Sequence, residues 1–490
     1  MLPASALSNE GITMKHDLAA TTAAPSVEFD AALITRLNQM GPRYTSYPTA
    51  DRFINGFGAA DYRAAASACD GGTRARPLSL YVHIPFCESL CYYCACNKLI
   101  TTDHSKAVTY LDYLQREIAL QGRLFAGKNV LSQLHFGGGT PTYLTDAQMD
   151  ELLACLRQWF VFAPDADGEY SIEVDPRTVS PARVEVLRRQ GFNRLSLGVQ
   201  DFDPEVQRAV NRVQPEEMTT GLIKAARLAG FRSVSIDLIY GLPKQSAATI
   251  ATTLEKVIAA DPDRIAIYNY AHMPAMFKSQ RLIVDRDLPT PDAKLEMLGL
   301  CIERLCGAGY VYIGMDHFAK PDDDLALAQR DGRLQRNFQG YSTHAEADMV
   351  ALGVSAISAV NGSYSQNQKT LTAYYAGLDR GELPVARGVV LSLDDLLRRS
   401  LIGQLMCNFA LPYAALPLPE GASFIDYFAP ELVRLRELET DGLLDIGPDG
   451  LRVTPKGRLL IRNVCMVFDR YLALPRLDAE ARPLRFSRTI

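Results

Sequence analysis

Between residues 79 and 308 the chain repeats one pattern. A short apolar or alternating run is followed by a longer run with apolar residues at helical spacing. The short runs, 79–85, 131–137, 169–175, 194–200, 233–240 and 264–270, predict strands, and several end in polar residues or glycine. The long runs, 108–124, 146–160, 181–190, 215–229, 247–260 and 293–308, predict helices. Two of these start near Pro181 and Pro215 and stop at Gly191 and Gly230, as helix ends often do. Repeated β–α units predict an α/β fold on a parallel sheet with right-handed crossovers.

The flanks read differently. Gly41-Pro-Arg-Tyr-Thr-Ser-Tyr-Pro-Thr-Ala50 is polar, aromatic and interrupted by proline, so it predicts an extended arm. A surface linker is the plainer reading, but Arg43, Tyr44 and Tyr47 are unusually sticky for one. Gly314-Met-Asp-His-Phe318 and Arg336-Asn-Phe-Gln-Gly-Tyr-Ser-Thr343 lack a clean period and read as loops. Beyond about residue 390, runs at 394–407 and 430–440 predict helices. The stretch 441–457 then predicts a two-stranded wing and a helix, a winged-helix-like pattern. DNA binding is the sharp alternative there, and the acidic wing (Asp441, Asp445, Asp449) opposes it.

Candidate chemistry collects at the predicted C-terminal strand ends, where β/α folds place their sites. The first strand runs into Cys87-Glu-Ser-Leu-Cys91-Tyr-Tyr-Cys94-Ala-Cys96, which holds four of the ten cysteines. Thiolates this crowded call for something positive among them, either zinc or an iron–sulfur cluster. Structural zinc usually takes two knuckles, and no second one exists: Cys69, Cys155, Cys301, Cys306, Cys407 and Cys465 are scattered. C-x3-C-x2-C suits three corners of a cubane, leaving one iron open to a small chelating molecule. Gly137-Gly-Gly-Thr-Pro-Thr142 ends the second strand in a turn that lacks the Walker continuation. Glu173 and Asp175, two apart, face one side of the third strand, either as acceptors for ribose hydroxyls or an ammonium, or as a salt-bridged strand end. Gln200 ends the fourth strand, Asp237 interrupts the apolar fifth at a cost unless paired, and Tyr270-Ala-His272 ends the sixth. Arg212, taken alone, reads as a surface helix residue.

Bulk properties narrow the class. A chain of 490 residues predicts two or three domains. Its 48% hydrophobic and 22% charged residues suit a globular protein, and a net charge of −5 gives no global case for nucleic acid or membrane surfaces. No apolar run is long enough to span a bilayer. Residues 1 to about 27 are rich in Ala, Ser and Thr and lack the basic flank and apolar stretch of a secretory signal. They read as a disordered leader; Glu10, Asp17 and the lack of Arg oppose a transit peptide. Clustered free thiols suit a reducing compartment, hence the cytoplasm.

These motifs together carry a resemblance. C-x3-C-x2-C after a strand, with Tyr93 before the third Cys, resembles the radical S-adenosylmethionine (SAM) signature, and the six β/α units resemble that superfamily's partial (β/α)6 barrel. Pro42-Arg-Tyr-Thr-Ser-Tyr-Pro-Thr49, Tyr81-Val-His-Ile-Pro-Phe-Cys87, the cysteine loop, Phe136-Gly-Gly-Gly-Thr-Pro-Thr, Ile172-Glu-Val-Asp-Pro-Arg, Gly198-Val-Gln, Asp237-Leu-Ile-Tyr-Gly-Leu-Pro and Arg336-Asn-Phe-Gln-Gly-Tyr resemble the oxygen-independent coproporphyrinogen III oxidases. The similarity runs from about residue 30 to the C-terminus. Radical-SAM heme chaperones, the nearest rival, usually have Phe where Cys96 stands and lack the Arg-Tyr-Thr-Ser-Tyr-Pro arm.

The resemblance implies that Cys87, Cys91 and Cys94 hold a [4Fe-4S] cluster. Tyr81, Gly138, Glu173 and Ile357 would contact the cluster-bound SAM. Tyr93 (in place of the usual Phe), Gly139, Thr140, Gln200, Arg212, Asp237 and Ala271 would line a second SAM position. One electron would cleave SAM to methionine and a 5′-deoxyadenosyl radical. Two propionates of coproporphyrinogen III would then leave as carbon dioxide, giving protoporphyrinogen IX. Four substrate carboxylates need local cations, for which Arg43 and Arg336 are candidates. Cys96 is a small buried residue, a backup thiol or a substrate contact. A flavodoxin- or ferredoxin-type electron donor, an electron acceptor and a monomer are further expectations. The expected division is a leader at 1–28, an arm and substrate lid at 29–75, a catalytic domain at 76–385, and a mostly helical C-terminal domain at 386–490.

Overall fold

The structure, a computed structural model, describes residues 27–67, 76–125, 130–344, 347–473 and 486–489. Nearly all of the expected leader lies outside them, as does Cys69. Six strands form the centre: β1 Leu78–Ile84, β2 Val130–Gly138, β3 Glu169–Val174, β4 Arg194–Gln200, β5 Ser233–Tyr240 and β6 Arg264–Asn269. Each pairs in parallel with the next. The connecting helices include Ser105–Phe125, Asp146–Trp159, Pro181–Gln190, Glu216–Ala229, Ala247–Ala260 and Pro291–Gly307. Local chemistry sets their ends. Thr145 and Gln148 form a capping box, Ser180 caps the helix that opens at Pro181, and Gly191 closes it at φ 110°.

The strands alternate as the pattern predicts. Ile172, Leu197, Ile236 and Ile267 turn outward and are at most 3% exposed. Burying each such side chain contributes roughly 1.5–3 kcal/mol. The alternate positions (Tyr81, His83, His135, Ser171, Glu173, Ser196, Asp237, Tyr268) are mostly polar and turn to the other face. Residues i and i+2 share a face of a strand, so one helix-backed sheet presents a polar inner wall. That wall suits a ligand chamber better than a packed barrel core.

The sheet continues past both edges. Asp348–Leu352 adds a parallel strand beside β1, and Ile357–Val360, Ser363–Asn367 and Val385–Val390 follow antiparallel. Beside β6 lies the hairpin Val311–Gly314 and His317–Ala319. The outermost strands do not pair with each other among the described residues, so this is a partial, open barrel. Two stretches expected to be loops are therefore hairpins: His317 stands on the first, and Gln335–Asn337 pairs with Gly340–Ser342 in the second. Three-residue strands are too short to show a period. The arm keeps an extended 41–49 but also contains the helices Ala31–Leu37 and Ala59–Ser67. Beyond 390, the helices Leu393–Asn408 and Ala429–Thr440 lead to the wing Leu444–Ile446 and Gly450–Val453. Ala410–Pro412 adds a third wing strand, and Ile461–Val467 follows as the last helix. No described helix is long and apolar enough to cross a membrane.

One buried carboxylate joins the first crossover helix to the added strands. Glu117 accepts from Gly353 N at 2.7 Å, Asn367 Nδ2 at 2.7 Å and Tyr374 Oη at 2.5 Å. Burial nevertheless pushes its carboxyl up to about 7. The folded chain thus holds this proton more tightly than the unfolded chain does. Glu117 is therefore expected to cost stability progressively as pH rises from about 4.5 to about 7, by roughly 3 kcal/mol in all. Glu117→Gln removes this titration. Its stability relative to the parent, followed by denaturant melts, is expected to rise over that window and level off above it. A flat difference would refute the assignment.

Candidate active site at the strand ends

The cysteine loop leaves the end of β1 and is pinned on several sides. Leu99 N donates to Pro85 O at 2.7 Å and Thr101 N to Cys87 O at 3.0 Å, closing its base. Asn211 Nδ2 reaches Leu90 O at 2.8 Å, Ser279 Oγ reaches Cys94 O at 2.9 Å, and Gln280 Nε2 reaches Tyr93 O at 3.0 Å. Tyr93 packs against the apolar cluster that includes Val206, Val210, Ile239 and Tyr270. The thiols are thus held by loops following β4 and β6, far away in sequence.

Each sulfur has a distinct setting. Cys91 is 8% exposed and accepts from Arg177 Nη2 and Arg212 Nη1, both at 3.5 Å. The same two guanidiniums clamp Asp175, Arg177 Nη2 at 2.7 Å and Arg212 Nη1 at 3.1 Å, and hold its carboxyl below the usual range despite burial. Asp175 is therefore the salt-bridged strand end, and Arg212, only 6% exposed, is not a surface helix residue. Thr140 Oγ1 donates to Cys87 Sγ at 3.4 Å, while burial pushes the Cys87 thiol up to about 11. A hydrogen bond from Cys96 draws the Cys94 thiol down to about 6. Cys96 itself is exposed, which removes its reading as a small buried residue.

Across the mouth lies a second shelf. His135 Nε2 donates to Glu173 Oε1 at 3.1 Å and its Nδ1 lies 2.5 Å from Ser171 Oγ, while Gly138 N donates to Glu173 Oε2 at 3.3 Å. Burial alone would raise Glu173, but His135 and the Gly138 N–H hold it below the usual carboxylate value. Tyr81 stacks on His135 at 5.8 Å and meets His83 Nδ1 at 3.1 Å. The glycine turn is needed for this approach. A Cβ at Gly137 would lie 2.9 Å from Glu173 Oε1, and Gly138, at φ +113°, sits against the His83 ring. Gly139 N and Thr140 N continue the pairing onto Ile84 O and Phe86 O, both at 2.8 Å.

The remaining expected residues have settings of their own. A register shift between Gly198 and Gln200 turns Gln200 to φ +70°. Asp237 accepts from Ser196 Oγ at 3.3 Å, and burial followed by the charge of Glu173 pushes its carboxyl up to about 7. Ala271 O accepts from Gln280 Nε2 at 3.2 Å. Ile357 packs by Phe53, Tyr364 and Phe338. Arg43 pairs with Asp316 and feels the charge of Arg336. A cavity of about 1160 Å³ opens beside Arg43, Ala271, Lys294 and Arg462. Sequence reading missed His135, Arg177, Gln280 and Arg462. The signal for His135 was its place on the polar face of β2, opposite Ser171 and one strand from Glu173.

The donor set fits a cluster. Three free thiols leave one strand end, and cationic or hydroxyl donors already lie on two of their sulfurs. Among the described residues no three His, Cys, Asp or Glu groups gather tightly enough for a single metal ion. A cubane, whose four irons alternate with four sulfides, takes each thiolate on a different iron and needs them spread further apart.

The comparisons agree. A family described as the Radical SAM superfamily matches residues 81–257, and one described as the HemN C-terminal domain matches residues 391–460. The oxygen-independent coproporphyrinogen III oxidase of Escherichia coli is 51% identical over 95% of this chain and 99% of its own. That of Pseudomonas aeruginosa is 50% identical over 95% and 99%. A solved structure, coproporphyrinogen III oxidase (HemN) from Escherichia coli, a radical SAM enzyme, superposes with a TM-score of 0.86 at 50% identity, covering 91% of this chain and 100% of that one. With thiol loop, open barrel, C-terminal wing and near full-length similarity in agreement, the chain belongs to the oxygen-independent coproporphyrinogen III oxidases of the radical SAM superfamily.

Proposed function

We propose that this enzyme oxidatively decarboxylates two propionate side chains of coproporphyrinogen III without oxygen, giving protoporphyrinogen IX, with Cys87, Cys91 and Cys94 as cluster ligands. The observation that carries this reading is the thiol trio at the end of β1, with Arg177 and Arg212 on Cys91 and the Glu173 shelf opposite. When bound, the [4Fe-4S] cluster and SAM supply a 5′-deoxyadenosyl radical reactive enough to take hydrogen from an unactivated propionate carbon.

The chain's own residues position and shield. Arg177 and Arg212 offset thiolate charge at Cys91, and Thr140 does so at Cys87. Glu173, kept ionised by His135 and Gly138 N–H, accepts from the ammonium of cluster-bound SAM, beside Tyr81, Gly138 and Ile357. Tyr93, Gly139, Thr140, Gln200, Arg212, Asp237 and Ala271 line a second SAM position. Arg43 and Arg336 meet substrate carboxylates, with Cys96 near the same mouth. The arm excludes water and oxygen. Residues 29–75 serve as lid, 76–385 as catalytic domain and 386–490 as the C-terminal domain. The protein works as a cytoplasmic monomer, taking electrons from a flavodoxin- or ferredoxin-type donor and passing substrate electrons to a separate acceptor.

The test is anaerobic turnover. Reconstituted protein with SAM, a reductant and coproporphyrinogen III is expected to release protoporphyrinogen, deoxyadenosine and carbon dioxide over many cycles. Stoichiometric heme binding without turnover would replace this reading with a heme chaperone.

A further inference from the structure

Beside the carboxylate-lined mouth sits a basic group that is short of partners. Arg336 stands on the hairpin strand Gln335–Asn337, opposite Tyr341, with its guanidinium 4.8 Å over the Tyr341 ring. Its Nε and Nη1 are out of reach of solvent and carry no hydrogen bond. No carboxylate among the described residues forms an ion pair with it. The His317 ring meets the edge of Tyr341 at 5.2 Å and of Tyr268 at 6.0 Å, and its Nδ1 is likewise buried and unbonded. Arg43 adds a second cation nearby, already tied to Asp316, the neighbour of His317.

A guanidinium and an imidazole nitrogen held this way have no hydrogen-bond partner among the described residues. Burying a cation without a counter-charge is costly, and the protein supplies none here. The missing partner must accept several hydrogen bonds and carry negative charge, which a carboxylate does through about four lone-pair positions. The location fits the reaction. Tyr268 lies within electrostatic reach of Asp237 and Glu173 as well as of Arg43 and Arg336, so the basic group borders the reacting chamber.

We infer that Arg336 and His317 form a receptor for one propionate carboxylate of a carboxylated tetrapyrrole, with His317 donating through Nδ1 and Arg43 as the flanking cation. This deepens the function proposed above and rests on it. Burial and the charges of Arg336 and Arg43 hold His317 well below its usual pKa, so the ring is neutral and donates without adding a third positive charge. Tyr268 and Tyr341 fix its plane, so the direction of the bond is set before substrate arrives.

The test uses the full-length protein and oxidised coproporphyrin III as a fluorescent binding probe, with KM for coproporphyrinogen III measured in parallel. Asparagine places an amide nitrogen near the Nδ1 position; glutamine does not. His317→Gln and Arg336→Met are each expected to weaken probe binding about ten- to a hundredfold, the range for a buried hydrogen bond to a charged group. KM should rise with kcat little changed. His317→Asn is expected to stay within about threefold of the parent. Iron content and SAM binding should be unaltered in all three, which separates a lost contact from a lost fold. If His317→Gln binds as the parent does, or if Asn and Gln weaken binding equally, the receptor is wrong while the enzyme reading stands. If the parent neither binds the probe nor converts coproporphyrinogen, the proposed function fails and the receptor with it.

Discussion

Cys91→Ser is expected to leave the protein folded but without iron and without turnover above the uncatalysed background. Cys91 is the most buried residue of the three, and two guanidiniums reach its sulfur. A thiolate there satisfies both the irons and the arginines. A neutral serine hydroxyl is a poor iron ligand and brings the arginines no negative charge, leaving Arg177 and Arg212 with Asp175 as their shared acid. Iron is expected to fall from about four atoms per chain to none after reconstitution. Circular dichroism should stay near that of the parent, because the loop is also tied down through Leu90, Tyr93 and Cys94 carbonyls. Cys96→Ser is the paired control. Cys96 is exposed and is no ligand in the proposed set, so iron is expected to be retained. Full iron in Cys91→Ser, or its loss in Cys96→Ser alone, would reassign the ligands.

Arg462→Met is expected to produce the largest loss of stability outside the cluster loop. Arg462 is 2% exposed and gathers both ends of the described chain. Its Nε donates to Pro42 O at 2.8 Å, its Nη1 to Arg488 O at 2.7 Å and its Nη2 to Gly41 O and Ser487 O. Gly41 N then donates to Ser487 O at 3.1 Å, and Thr489 N to Gln39 O at 2.7 Å. Burial lowers the guanidinium to about 9, so it remains charged at neutral pH. Methionine fills the volume but orphans these carbonyls, at about 1–3 kcal/mol for each that stays buried, so a total of roughly 3–5 kcal/mol is expected. Arg462, Ser487, Arg488 and Thr489 also wall the cavity of about 1160 Å³. Amide hydrogen exchange at 39–43 and 486–489 should therefore quicken by orders of magnitude, and KM should rise. Unchanged exchange there would show that the clasp is held by something else.

The legible parts of this molecule are local. Alternation in β3 and β4 follows from backbone geometry, so 169–174 and 194–200 could be placed within a residue. The cysteine loop was legible because its candidate ligands lie within one short segment. Residues whose role depends on distant partners were not. Arg212 reads as a surface residue in Val210-Asn-Arg-Val, yet it meets a sulfur 121 positions away. Arg462 looks like an ordinary helix residue and reaches a carbonyl 420 positions away. The hairpins carrying His317 and Arg336 were missed because three residues show no period, and their pairing is decided by the sheet edge they join. The Glu173 and Asp175 pair stayed ambiguous for a related reason: spacing puts both on one face, but only neighbours decide which is spent in a salt bridge.

From sequence alone come the β/α repeat, the thiol loop at a strand end and the family resemblance, because each is written in residues close together in the chain. Tertiary structure decided which cations sit on the thiols, which carboxylate faces the chamber free of arginine, and how residues 39–42 are joined to residues 487–489. Those outcomes depend on charges and hydrogen bonds between segments hundreds of residues apart. Their energies are set by burial and distance, and neither quantity exists until the chain has folded around them.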